Sequence, residues 1–316
     1  MRLLAALALL LLPHLALGQG YPERPVRMIV PAAPGGGLDL IARVISGKLT
    51  ELWGRQVVVE NRPGANFIVG TDAAAKSAPD GYTLLLVSSG ALTVNPVVYS
   101  NLPYNPERDL TPVMIATSNP FVLLVNNNVQ AKNLPEFLSL LRANPGKLNH
   151  ASNSATTILS SELLKALAKV EYADINYKGG VLAAAATASG ETEFCIVDMG
   201  SATAPVKGGR VRALAVTTAQ RYKLQPEVPT IAESGVPGYA SAAWVVILAP
   251  AKTPAEIIAK VNADLKQVLN TPEVTARAEG LGSEVLATTP EEASRMLRAD
   301  LEQWARLTRE RNIKLQ

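Results

Sequence analysis

The strongest constraint on how this chain folds is an alternation. Short apolar runs rich in branched residues recur at Val26–Val30, Val57–Glu60, Thr83–Val87, Phe121–Val125, Phe194–Val197, Ala213–Thr217 and Trp244–Leu248. They are continuous, so each reads as a strand covered on both faces, as in a parallel sheet. Helical patterns fall between them. Leu40–Leu49 is one, and Glu136–Ala143 is another, preceded by Asn133 in a capping arrangement. Thr253-Pro254-Ala255-Glu256 reads as a capping box with Pro254 at the first helical position. It opens a helix whose Ile257, Ile258, Val261, Leu265 and Val268 share a face. Thr289-Pro290-Glu291-Glu292 repeats the device before a stripe of Met296, Leu297, Leu301, Trp304 and Leu307. Strands and helices in turn predict an α/β architecture. No Pro/Gly-rich linker divides the chain, so two lobes sharing crossing strands are expected, with crossings near Phe121 and Gly238.

The first 18 residues read as a cleaved signal peptide. Arg2 precedes the apolar run Leu3–Leu12, and Ala16-Leu17-Gly18 is a small-x-small cleavage site. The alternative is an uncleaved anchor, although the run is short for a bilayer span. Loss of Arg2 leaves 29 basic against 27 acidic residues, a balance that argues against a nucleic-acid partner. A pocket can still be locally positive on such a chain. Cys195, the single cysteine, sits in Phe194-Cys195-Ile196-Val197 and reads as a buried strand thiol. After cleavage His150 is the only histidine, no Gly-x-Ser-x-Gly elbow is present, and no His/Cys cluster has metal spacing. No cofactor is expected, and a catalytic triad would depend wholly on His150.

The clearest candidate site follows the first strand. Gly35-Gly36-Gly37 leads into a helix through Asp39, giving strand, glycine turn, helix. Such a turn exposes N–H groups at the positive helix end, where an anion can sit. It also serves as a plain tight connection with no ligand. The spacing is not that of a dinucleotide fingerprint. Asp39 either caps the helix or meets a ligand amine or a bridging water. Ser88, Ser89 and Asn95 follow the Thr83–Val87 strand, where hydroxyls suit a ligand as well as an ordinary turn. In the second half, Ser152, Ser154 and Thr156 precede a helix through Leu164, as ligand contacts or as caps. Tyr177, Lys178, Gly179 and Asp198 complete the set. Lys178 reads first as a solvated loop lysine, and Asp198 either points into a cleft or bonds nearby backbone.

These segments also carry a resemblance that spans nearly the whole mature chain. Its pieces are Tyr21 to Arg27; Pro34-Gly35-Gly36-Gly37-Leu38-Asp39 through Arg43; Val59-Glu60-Asn61-Arg62-Pro63-Gly64-Ala65; Ala78 to Leu85; Asn95-Pro96; Leu102 to Val113; Val211 to Thr217; Pro229 to Tyr239; and Ala249 to Pro254. In this order and spacing the chain resembles Bug-type solute-binding proteins, the receptor family of tripartite tricarboxylate transporters. The resemblance implies a periplasmic-binding-protein type II-like Venus flytrap, with two lobes joined by crossing strands. Lobe 1 would be residues 21–121 plus 238–316, and lobe 2 residues 122–237. It implies a periplasmic monomer that holds a small carboxylate between the lobes, partly through waters. Lobe 1 would contribute Gly35, Gly36 and Asp39, with Ser88, Ser89 and Asn95 nearby. Lobe 2 would use the stretches Ser152 to Thr157 and Tyr177 to Gly180. The partner would be membrane transporter subunits or, in the alternative, a sensor kinase; an enzyme on the same scaffold is the minor alternative. The second lobe departs from the pattern. Ile158 stands where many relatives have His, and Val181-Leu182 and Ala186 stand where relatives often carry Ala-Pro and an Asp. A more apolar pocket is the expectation that follows.

Overall fold

The computed structural model describes residues 20–313. The signal-peptide segment, residues 1–18, lies outside them. In chain order the elements are β1 Val26–Val30, α1 Gly37–Trp53, β2 Val57–Asn61, α2 Ile68–Ala75, β3 Thr83–Ser88, α3 Gly90–Thr93, α4 Asn95–Val98, α5 Pro106–Asp109 and β4 Leu110–Asn126. They continue with α6 Leu134–Ala143, β5 Asn149–Ser152, α7 Ala155–Ala168, β6 Ala173–Asn176, α8 Gly180–Ser189, β7 Phe194–Asp198, α9 Met199–Lys207 and β8 Val211–Val216. The chain closes with β9 Ala242–Pro250, α10 Ala255–Leu269, α11 Pro272–Gly280, β10 Glu284–Val285 and α12 Pro290–Glu310.

β4 organises the molecule. Its first half pairs antiparallel with β9 from Leu110 to Pro120, and with β10 at Thr117 and Ser118. From Phe121 onward it pairs instead with β7 and β8. β1, β2 and β3 form a parallel set on the first half, joined through β9. β5, β6 and β7 form a parallel set on the second. The result is two lobes threaded by one strand, with a second passage where the chain returns from β8 to β9. The all-parallel expectation needs correcting, because β4, β8 and β9 are antiparallel. A continuous apolar run reports cover rather than strand direction, and at the sheet edge not even that, since Val58 of β2 is 46% exposed.

Each sheet half is sandwiched. Met28, Val30, Leu84 and Ile247 pack toward α1 and α10, and Ile29, Leu85 and Val246 toward α2, α3 and the start of α12. In the second half Leu123, Phe194 and Ile196 pack against α6 and α7, and Val122 and Cys195 against α8 and α9. α12 lies across both halves. Ala293 and Leu297 join the first lobe's cluster, whereas Trp304 and Leu307 are buried with Leu159 and Leu163 of the second. The Thr289 capping box forms as read. The Thr253 box does not. Pro254 is the cap residue, and the Thr253 hydroxyl turns back to donate to the Pro250 carbonyl at 2.7 Å. Lys252, at φ +71°, makes the tight turn that spends the hydroxyl on the strand end.

Candidate carboxylate site between the lobes

Register places the site. Ser88, the last residue of β3, pairs with Val245, and Val245 pairs with Thr117 of β4. Asp198, the last residue of β7, pairs with Phe121. The C-terminal ends of both parallel sets therefore meet across residues 117–121 of β4. Strand ends of this kind, at a change of sheet order, are where α/β proteins place ligands. Helices α1, α3, α7, α8 and α9 begin at these ends.

The glycine turn opens α1. Gly35 holds φ +82°, which only a residue without Cβ adopts freely. Its N–H donates to Asp39 Oδ2 at 2.8 Å. Asp39 also accepts from Arg43 Nε at 2.9 Å and from Asn61 Nδ2 at 2.9 Å. Asn61 in turn donates to the Ala32 carbonyl at 3.0 Å. The buried carboxylate is thus an internal clamp that ties the turn to α1 and β2. The Arg43 guanidinium, aided by the Gly35 N–H and the Asn61 amide, outweighs the cost of burial and holds its pKa at about 2. Gly36 caps the helix with its carbonyl, accepting from Leu40 N, and no side chain caps it. Among the described residues, the N–H groups of Gly37, Leu38 and Asp39 have no acceptor. A Cβ at Gly37 would meet nothing within 4 Å.

The other first-lobe candidates are mostly committed to the scaffold. Ser89 is buried, its N–H donating to the Trp244 carbonyl at 2.8 Å and its Oγ accepting from Trp244 N at 3.1 Å. Asn95 is buried and donates to the Asn66 carbonyl at 2.8 Å. That bond holds a left-handed turn, Ala65, Asn66 and Phe67 at φ 45, 50 and 72°. Ser88 stays half-buried beside Gly90. A Cβ built on Gly90 would lie 3.2 Å from Thr156 Oγ1 and 3.9 Å from Ser88 Oγ. Ser88, Gly90 and Thr156 therefore converge from opposite lobes.

In the second lobe Ser154 and Thr157 form a reciprocal capping box on α7. The Ser152 side chain is buried, and its carbonyl accepts from Tyr177 N at 2.8 Å. The Tyr177 hydroxyl donates to Glu191 at 2.8 Å. Gly179, at φ +113°, turns the chain into α8. Asp198 caps α9, accepting from Ser201 N at 2.9 Å and Ser201 Oγ at 2.7 Å. Its Oδ2 would lie 2.7 Å from a Cβ at Gly180, so it sits against the opening of α8. Sequence reasoning gave no role to Arg43 or Asn61. Arg43 was legible as the i+4 partner of Asp39. Asn61 acts through contacts remote in sequence.

Three other places lack what a ligand site needs. A cavity of about 480 Å³ opens beside the crossing, lined among others by Ser118, Trp244, Asp300 and Gln303. Its cations are spent, Lys223 on Glu284 at 2.7 Å and Arg221 on Glu233 at 2.9 Å. His150 is fully buried; Nδ1 bonds Asp174 at 2.7 Å and Nε2 accepts from Ile196 N at 3.1 Å. It has no face for a substrate. Cys195 is equally buried, and burial pushes its thiol up to about 12.

Comparison with known proteins fits this frame. The profile of the Tripartite tricarboxylate transporter family receptor matches residues 41–313. The chain belongs to that family. It is 35% identical over 298 residues to the protein BugT of Bordetella pertussis, covering 93% of this chain and 91% of that one. Among solved structures, the Rpa4515 protein of R. palustris with adipate is 31% identical, with a TM-score of 0.77, covering 92% of this chain and 97% of the other. MatC from Rhodopseudomonas palustris, with bound malate, is 29% identical at a TM-score of 0.73, covering 91% and 99%. This family member thus has the two-lobe fold of periplasmic solute-binding receptors. No helix among its described residues is long and apolar enough to cross a membrane.

Proposed function

We propose that this receptor is exported to the periplasm, captures a small carboxylate-containing metabolite between its lobes and delivers it to a membrane transporter. The observation that carries the reading is the opening of α1. Three N–H groups there lack partners, and the one nearby acid, Asp39, is already neutralised by Arg43. Preformed donors at a helix end favour an anion without reorganisation. Adipate and malate in two relatives support the same ligand chemistry.

Residues 21–121 plus 238–316 would form one lobe and 122–237 the other, with α12 laid over both. Thr156 and the start of α7 already lie against Ser88 and Gly90, so hinge opening about the two crossings would admit the ligand and reclosure would exclude water from its carboxylate. Gly37, Ser88 and Thr156 are the contacts best placed for direct bonds. Asp39, Ser89, Asn95 and Asp198 would act by fixing the loops.

Isothermal titration across mono- and dicarboxylates tests the proposal. Saturable binding of at least one carboxylate is expected, and a Gly37→Asp variant should abolish it by placing an anion at the donors. A folded protein that binds no member of the series would overturn the reading.

A further inference from the structure

The second lobe presents an apolar surface to the same cleft. α8 starts at the C-terminal end of β6, on the side that faces lobe 1, and its first turn carries Val181 and Leu182. These are 69% and 53% exposed, the two most exposed large apolar side chains described in this lobe. Nothing in the fold covers them. At the same helix opening lies Asp198, which caps α9 through Ser201 and, among the described residues, pairs with no Lys or Arg. Its carboxylate therefore occupies the positive potential at the openings of α8 and α9, and no cation among the described residues pairs with it. Lys178, the cation of the adjoining loop, is exposed to solvent, where its field is screened.

We infer that the ligand is a monocarboxylate with an apolar body, held by its carboxylate at the α1 opening and packed by its far end against Val181 and Leu182. The inference rests on the carboxylate reading above and specifies the rest of the molecule. A second carboxylate reaching α8 would approach Asp198 and displace water from two apolar side chains without gaining a cation. A methyl end or an aromatic ring gains the burial of those side chains instead. Val181 and Leu182 are then specificity-determining residues, and Asp198 excludes dianions.

Titrations of hexanoate and benzoate against adipate and malate decide the matter, because hexanoate and adipate differ only at the far end. The better monocarboxylate should bind at least about tenfold tighter than either dicarboxylate, the scale on which apolar pockets discriminate. The double variant Val181→Ser/Leu182→Ser, at exposed positions that leave the core intact, should lose about tenfold on that monocarboxylate without weakening adipate binding. Equal or tighter binding of a dicarboxylate overturns the inference and leaves the carboxylate reading standing. So does an unchanged monocarboxylate affinity in the double variant. Silence toward all four compounds, with native circular dichroism, overturns both.

Discussion

The openings of α1 and α8 are built alike and behave differently. Each follows a strand of a parallel set, each turns on a glycine at positive φ, and each has a glycine rather than a side-chain cap. Each also has one carboxylate against its first turn. At α1 that carboxylate is Asp39, buried and paired with Arg43 at 2.9 Å. At α8 it is Asp198, bonded only to Ser201 and without a counter-ion among the described residues. The backbone device alone therefore does not make an anion site. Its charge balance is set by side chains delivered from elsewhere, and so is what lines its outer face. Both openings leave first-turn N–H groups without acceptors among the described residues, but α1 adds open space whereas α8 adds Val181 and Leu182.

The largest test of this contrast is at Asp39. Asp39→Asn should weaken carboxylate binding by roughly a hundredfold and cost about 1–3 kcal/mol, because the buried carboxylate loses the charge that the half-exposed Arg43 guanidinium and the Gly35 N–H bond. The sign with pH follows from the depressed pKa. The stabilisation is complete above the ordinary aspartate range and is lost as pH falls through about 2. The gap between wild type and variant in urea melts should therefore be full at pH 7 and should close as pH approaches 2. A gap that widened on acidification would contradict the clamp.

Glycine substitutions give the next largest effect. A Cβ at Gly180 would lie 2.6 Å from Ser201 Oγ and 2.7 Å from Asp198 Oδ2, whereas one at Gly37 meets open space. Gly180→Ala should cost about 1–3 kcal/mol through overpacking. Gly37→Ala should change stability by no more than about 0.5 kcal/mol. Thermal melts of the two variants side by side measure the difference, and equal shifts would mean that the α8 opening is not as tight as described.

Capping supplies the smallest effect. α7 opens with a side-chain box, so Ser154→Ala should cost about 1 kcal/mol. Thr253→Ala, where the hydroxyl bonds the end of β9 rather than capping α10, should cost less, about 0.5 kcal/mol, the lower end for one net hydrogen bond. Chemical denaturation of both variants checks the order.

The contrast also explains what the sequence could reveal. The seven apolar runs all became strands, because continuous branched residues demand cover. β5 and β6 were invisible: Asn149-His150-Ala151-Ser152 is largely polar, and β6 is an exposed edge. Only the second half of β4 was readable. Its first half is broken by Pro112 and by two register shifts against β9, and Pro120 marks the change of partner at the crossing. The glycine turn was legible as a candidate because its residues are contiguous. The facts that separate it from the α8 opening were not. Arg43 and Asn61 hold Asp39 from one helix turn and one strand away, and Asp198 reaches Gly180 from 18 residues downstream. The Thr253 box shows the converse error, a correct motif whose hydroxyl found a nearer partner.

The position of β9 also governs how the molecule is assembled. β9 lies between β3 and β4, pairing Ser88 with Val245 across the whole second lobe. Until residues 242–250 are present, the first sheet remains two unjoined pieces with open edges. Its completion must wait for a contact of very long sequence separation, which slows folding. A chain built in this order stays pliable while most of its length is being made, a property that suits the export proposed above, in which a polypeptide crosses a membrane before it folds.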